Sequence, residues 1–278
     1  MVQKQYLTLS PHGFHQAAYT EWGEPENPRV VICVHGLTRT GRDFDYLARA
    51  LERDYRVVCP DVLGRGKSDW LTHKGDYAYS LYIAQMATLV AHLNVESVDW
   101  VGTSMGGLIG MMTAALPGNP VRRLVINDIG PFVPRAALER LAEYVGKAPS
   151  FDSVQAVEAY LRKIAASFGP LSDAQWRHLA EHGHYRADDG TLRLAYDPAI
   201  ALAFAGKLED VDLWPVWSAV RCPVLIVRGG DSDLLLAETV VRMHTRPTTE
   251  AVEIPGTGHA PMLMNEREVD LVRGFLLA

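Results

Sequence analysis

The chain has 278 residues, 48% of them hydrophobic and 22% charged, and its 27 basic against 33 acidic side chains leave a formal net charge of -6. This acidic balance excludes nucleic-acid binding through a basic face, and the lack of any apolar run of about 18 residues excludes a membrane-spanning helix. The length predicts one large domain, or one domain with an insertion.

Tyr6–Leu9 and His15–Thr20 read as short strands, joined as an edge hairpin through Pro11-His12-Gly13. Val30–Val34 is a β-branched run without a polar break, the pattern of a strand buried on both faces. Helical spacing of Phe44, Leu47, Ala48 and Leu51 follows over Arg42–Arg53, then a buried strand at Tyr55–Cys59. Tyr79–Leu93 is an amphipathic helix, Val98–Val101 a strand, and Met105–Ala115 a helix of small residues. Val121–Asn127, Pro223–Arg228 and Ala251–Ile254 are further strands, and Ala237–Thr245 and Glu266–Leu277 further helices. Strands alternating with helices predict an α/β fold, a mostly parallel central sheet wrapped on both faces.

The rhythm breaks between about Pro131 and Val220, where every periodic stretch reads as helix: Arg135–Val145, Ser153–Phe168, Asp173–His182, Pro198–Ala205 and Val211–Ala219. Lying between two strands of one sheet, residues 131–220 are expected to form a helical cap over its carboxyl edge. Residues 1–130 and 221–278 then form the core domain. The three cysteines, Cys33, Cys59 and Cys222, are too few and too scattered for a disulfide framework and read as buried thiols. With no charged-then-apolar leader at Met1–Leu7, they predict a cytoplasmic protein.

Gly102-Thr103-Ser104-Met105-Gly106 lies between a predicted strand and a predicted helix. That order forms a nucleophile elbow, which raises a serine hydroxyl above the sheet; larger residues at the glycines would strike the neighbouring strand and helix. A serine nucleophile needs a base in reach, an acid to orient the base, and donors for the tetrahedral oxyanion. In an open α/β sheet these groups arrive on loops at the carboxyl ends of strands.

His259, in Gly256-Thr257-Gly258-His259 after the last strand, is the expected base. The acid is expected after the preceding strand, in Arg228-Gly229-Gly230-Asp231-Ser232-Asp233, with Asp233 ahead of Asp231. Asp128, after the strand that follows the elbow, is a further candidate, because an acid there also reaches the histidine in this topology. The expected oxyanion donors are the N–H groups of Met105, at a helix amino terminus, and of Leu37, in His35-Gly36-Leu37-Thr38.

Together with His35-Gly36, Asp61-Val62-Leu63-Gly64-Arg65-Gly66-Lys67-Ser68-Asp69 and Gly258-His259, the elbow resembles the α/β-hydrolase superfamily with a helical cap, over nearly the whole chain. The order Ser104, Asp233, His259 is that of the superfamily. This resemblance implies the α/β-hydrolase fold and serine-dependent hydrolysis, usually of carboxylic esters, with no cofactor and no metal. Haloalkane dehalogenases and epoxide hydrolases of this fold attack with aspartate; a serine forms an acyl intermediate, which points to acyl transfer. The expected partner is therefore a small-molecule ester with a small or medium acyl group, cleaved by a carboxylesterase-type mechanism.

Carbon–carbon hydrolases of aromatic ring-fission products share the Ser104-Met105-Gly106-Gly107 pattern. They usually carry a glycine-rich oxyanion loop, where this chain has Leu37-Thr38-Arg39-Thr40. A non-catalytic small-molecule receptor is the reading from another class, and the presence of a residue for every triad role counts against it.

Other signals receive blander readings. Gly64-Arg65-Gly66-Lys67-Ser68 lacks the first glycine of a phosphate-binding loop, having Asp61 there. His182 with His184, and His12 with His15, have no cysteine or carboxylate partners at ligand spacing. His35 reads first as a structural hydrogen-bonder and second as a substrate contact. His184 and Trp214 are the candidate substrate contacts from the cap. Arg39 and Arg42 read as charges at the start of the following helix.

Overall fold

The computed structural model describes residues 1–278. Strands β1 (Val2–Ser10) and β2 (Gly13–Trp22) form an antiparallel hairpin, followed by β3 (Val30–Val34), α1 (Asp45–Leu51), β4 (Arg56–Pro60) and α2 (Tyr79–Leu93). Next come β5 (Val98–Thr103), α3 (Met105–Ala114) and β6 (Val121–Asn127), then α4 (Arg135–Ala142), α5 (Val154–Ile164), α6 (Asp173–His182) and α7 (Trp214–Ala219). The chain closes with β7 (Val224–Gly229), α8 (Ala237–Met243), β8 (Thr249–Ile254) and α9 (Glu266–Leu277). The strands make one eight-stranded sheet in the order β1-β2-β4-β3-β5-β6-β7-β8. Only the pairs made by β2 are antiparallel.

Successive strand residues point to opposite faces, so each central strand feeds two apolar layers. Val31, Cys33, Val57 and Val101 pack with Leu47 and Leu51 of α1 and with Val272 and Phe275 of α9. Val30, Ile32, Val34 and Trp100 face the other way, onto Leu81, Met86 and Leu89 of α2 and Leu108 and Ile109 of α3. All of these residues are buried, which is why the strands show no polar alternation. The cysteines are free; Cys33 and Cys59 are buried and Cys222 is half-buried. No helix is long and apolar enough to cross a membrane.

Residues 128–223 contribute no strand to the large sheet. The stretch is not helical throughout, as its periodicity predicts. Ser150–Phe151, Leu192–Leu194 and His184–Arg186 form a small antiparallel sheet, and Val211–Asp212 pairs with Phe132–Val133. The turn in the first of these uses Gly190, whose φ of 83° suits a residue without a Cβ, while the Asp189 carboxylate accepts the Thr191 N–H at 2.9 Å. Strands this short carry too few positions for a period of two to register.

The elbow is built by close backbone approach. A Cβ on Gly102 would lie 2.2 Å from the Gly106 carbonyl oxygen, and one on Gly106 would lie 2.0 Å from that of Val34. Between them Ser104 is held at φ 52°, ψ -116°, a conformation that non-glycine residues rarely adopt. Gly106→Ala forces α3 away from β3, and we expect it to lower unfolding free energy by about 3 kcal/mol in urea titration.

Candidate active site

Ser104 stands between β5 and α3, half-buried, with its hydroxyl donating to His259 Nε2 at 2.9 Å. His259 follows β8, and its Nδ1–H donates to Asp128 Oδ2 at 2.8 Å. A carboxylate on Nδ1 assigns the tautomer: Nδ1 carries the proton and Nε2 is free to accept. The three side chains thus form a continuous relay from hydroxyl to imidazole to carboxylate.

The acid in that relay is Asp128, not Asp233. Asp128 is fully buried at the end of β6, with φ 54°, a left-handed conformation that Asp tolerates because its short polar side chain bonds locally. Its carboxylate also accepts the Gly229 N–H at 2.7 Å and the Ser232 hydroxyl at 2.6 Å. Asp233 instead takes the guanidinium of Arg140, at 2.5 and 2.9 Å, and its side chain is 50% exposed. Asp231 is also exposed; its backbone N–H bonds Thr257. The loop after β7 therefore carries donors for the acid rather than the acid itself. Ser232 sits between two aspartates, and no local signal in the sequence marks it as a partner of the acid.

Further bonds hold the histidine loop. Asn127, fully buried, donates from Nδ2 to Thr103 Oγ1 at 2.9 Å and to the Pro261 carbonyl at 2.7 Å. Ser167, between α5 and α6, donates to the His259 carbonyl at 2.8 Å and accepts the Gly258 N–H on its own carbonyl at 2.7 Å.

The loop after β3 is fixed by its carbonyls. The Gly36 oxygen accepts from His35 Nδ1 at 2.7 Å and from the Arg39 N–H at 3.1 Å, and the Leu37 oxygen accepts from Arg65 Nε at 2.9 Å. In a trans peptide the C=O and N–H point in opposite directions, so anchoring the Gly36 oxygen on His35 and Arg39 directs the Leu37 N–H away from both. Gly36 lies against Ser104: a Cβ there would be 3.7 Å from that of Ser104. Met105, as the first residue of α3, has no intrahelical acceptor for its N–H. Both N–H groups are thus available beside the serine.

His35 is fully buried and lines no cavity next to Ser104, so its role here is structural. Its Nε2 accepts the Val62 N–H at 3.0 Å, which leaves Nδ1 as the donor to Gly36. Burial, aided by the nearby Arg65 charge, lowers its pKa from the ordinary 6.5 to about 4.

Two cavities meet at Ser104, and Leu37 and Leu141 border both. The smaller, about 80 Å³, has mixed walls in which apolar side chains such as Leu161, Ile164 and Met262 stand beside the polar groups of His259, Arg39, Arg140 and Tyr144. The larger, about 530 Å³, is walled by apolar and tyrosine side chains such as Leu108, Met112, Leu138 and Phe204, with Ser104 its one other polar residue. His184 and Trp214 line neither: His184 borders a separate polar cavity, and Trp214 packs under the Arg242 guanidinium at 3.7 Å. Arg39 pairs with Asp43, and Arg42 with Asp45 at the start of α1. Asp45, His178 and His182 bring three ligand-type atoms within 4.8 Å of one another. Arg42 already occupies that carboxylate, and His178 Nε2 donates to the Arg42 carbonyl at 2.9 Å, so the group suits a cation poorly.

The profile of the alpha/beta hydrolase family matches residues 31–271. A 3-hydroxybutyrate-oligomer hydrolase of Cupriavidus necator is 48% identical, over 96% of this chain and 94% of that protein. A 2-(acetamidomethylene)succinate hydrolase of Mesorhizobium japonicum is 30% identical, over 83% of this chain and 81% of that protein. A solved alpha/beta hydrolase from Novosphingobium aromaticivorans superposes with a TM-score of 0.88 at 33% identity, covering 99% of this chain and 98% of that one.

Because His35 is protonated less readily in the folded chain than at its ordinary 6.5, the unfolded state binds the extra proton as pH falls toward about 4. Its contribution to stability is present above pH 6.5 and lost through that window, at about 3 kcal/mol for a shift of this size. Asp61, which burial pushes up to about 6, slopes the opposite way between pH 4 and 6. The difference between wild type and His35→Gln isolates the histidine: in urea titrations the variant should be less stable at pH 7 and lose less stability on acidification.

Proposed function

The chain belongs to the alpha/beta hydrolase family and is a hydrolase; on that premise we propose that it cleaves carboxylic esters through a covalent acyl-serine intermediate, with Ser104, His259 and Asp128 as its triad. The observation that carries this reading is the relay of 2.9 and 2.8 Å bonds, Ser104 to His259 to Asp128, at the junction of two cavities.

In this mechanism His259 Nε2 takes the Ser104 proton as Oγ attacks the ester carbonyl carbon. The carbonyl oxygen becomes an oxyanion held by the N–H groups of Leu37 and Met105. Asp128 holds the imidazolium that forms. The intermediate collapses as His259 returns the proton to the leaving alcohol, which breaks the C–O bond and leaves the acyl group on Ser104. Water then enters, gives its proton to His259 and attacks the acyl carbon. A second collapse, in which His259 returns that proton to Ser104 Oγ as the C–O bond breaks, releases the acid and restores the serine.

The two cavities take the two sides of the ester. The large apolar one suits an aliphatic portion, and the small one a polar portion beside Arg39 and Arg140. Short oligoesters of hydroxy acids, polar at their ends and aliphatic between, are one substrate class of this kind. The similarity to a 3-hydroxybutyrate-oligomer hydrolase supports that choice. The residues 131–220 act as a cap that walls both cavities, and we assign the catalytic core to residues 1–130 and 221–278.

Turnover of p-nitrophenyl esters and of a 3-hydroxybutyrate trimer tests the reading. Ser104→Ala should remove all but background hydrolysis, and Asp128→Asn should lower kcat by about 10⁴ through the wrong imidazole tautomer. Asp231→Asn should stay within about twofold, and Asp233→Asn should lose less than about tenfold, because neither touches His259. A full loss in Asp233→Asn with an active Asp128→Asn would reverse the assignment of the acid.

A further inference from the structure

Arg65 is among the largest fully buried side chains, at 0% exposure, and its guanidinium pairs with no carboxylate. An arginine stays charged in a protein interior, and an unpaired buried charge is costly. The partners it has are uncharged. Nε donates to the Leu37 carbonyl and Nη1 to the Leu63 carbonyl and the Tyr82 hydroxyl, each at 2.9 Å, while Nη2 lies 3.6 Å from Met105 Sδ. The Tyr82 and Tyr77 rings lie 5.0 and 5.8 Å from its centre, so their faces add weak cation–π support. One guanidinium therefore grips the carbonyl of Leu37 and touches the side chain of Met105, the two residues whose N–H groups lie open beside Ser104.

We propose that Arg65 is a positioning residue of the oxyanion hole: it aligns Leu37 and Met105 and leaves an uncompensated positive charge behind them that acquires its counter-charge only when the oxyanion forms. The inference rests on the ester-hydrolase reading. Its energetic logic is differential binding. A neutral ester carbonyl gains little from a buried cation, whereas the tetrahedral anion gains a charge–charge attraction in a medium that screens it weakly. A carboxylate beside Arg65 would cancel that effect, and none is there. The rigid grip on Leu37 adds preorganisation, since the donor need not reorient as charge develops.

The test compares wild type with Arg65→Gln, which keeps a donor for the Leu37 carbonyl but removes the charge, and with Arg65→Lys, which keeps the charge but not the two-ended reach. Active Ser104 is first titrated with a fluorophosphonate, so that misfolded protein drops out of every rate. For Arg65→Gln we expect kcat per titrated site on p-nitrophenyl butyrate to fall about tenfold with KM within about twofold, less than loss of a direct oxyanion donor. Affinity for butylboronic acid, which forms a tetrahedral anion on the serine, should fall by the same factor, while affinity for the neutral butyramide stays unchanged. Arg65→Lys should lose about threefold in kcat and boronate affinity, and it decides alone if Arg65→Gln does not fold. Per-site kcat and boronate affinity at wild-type values, or equal losses for boronate and amide, would overturn the proposal. Boronate binding needs no ester turnover. A wild type that hydrolyses no ester but binds boronate through Arg65 would therefore sink the ester reading and leave this one standing.

Discussion

A buried carboxylate is tolerable only when donors surround it, and at Asp128 those donors come from far along the chain. Gly229 N–H and the Ser232 hydroxyl arrive from the end of β7, and His259 Nδ1–H from the loop after β8. The carboxylate is thus the point where three carboxyl-end loops of the sheet converge. His259 can stand at Ser104 only because its other nitrogen is held there. Asn127, one residue earlier, secures the same convergence by bonding the β5 end and the histidine loop together. Site and fold are one hydrogen-bonded unit, so the geometry at Ser104 depends on the packing of β5 to β8 as a block.

The elbow imposes a complementary constraint from the other side. Ser104 is raised because β3, β5 and α3 approach more closely than any Cβ at Gly102 or Gly106 permits. The same close approach sets the Gly36–Leu37 loop against the serine, where its carbonyls are taken by His35, Arg39 and Arg65. A neutral His35 suits this position: it must accept from Val62 on one nitrogen and donate to Gly36 on the other, which the protonated ring cannot do. Above the sheet, the inserted residues share one buried apolar cluster with the core, and polar links add to it at the site. Ser167 bonds the histidine loop in both directions, and Arg140 of α4 reaches Asp233. The aspartate that local sequence offers as the catalytic acid is thereby an anchor between insertion and core.

Several elements are legible from the chain alone. The bounds of α2, β6 and α9 match the residues read from periodicity, because each carries an unbroken pattern with a clear stop. Ser104 between its strand and helix, and His259 in the loop after the last strand, are recognisable for the same reason: their signal is contained in a few adjacent residues. The short strands of the insertion are not legible, since two or three residues cannot display a period. The cavity walls are not legible either. His184 and Trp214 are plausible by type and position, yet His184 borders another cavity and Trp214 packs under Arg242, while Arg140 and Leu141 of α4 and Tyr144 just beyond it reach the site from a stretch with nothing distinctive in its sequence.

The amino-acid sequence by itself determined the alternating α/β order, the elbow and the identity of the expected base, because these follow from hydrogen-bond periodicity and backbone sterics over neighbouring residues. Only the tertiary structure decided which of Asp128, Asp231 and Asp233 faces His259, where the unpaired charge of Arg65 lies and how the space over Ser104 divides. Those are distances between segments far apart in the chain, such as the 131 residues between Asp128 and His259, and a local pattern carries no measure of such distances.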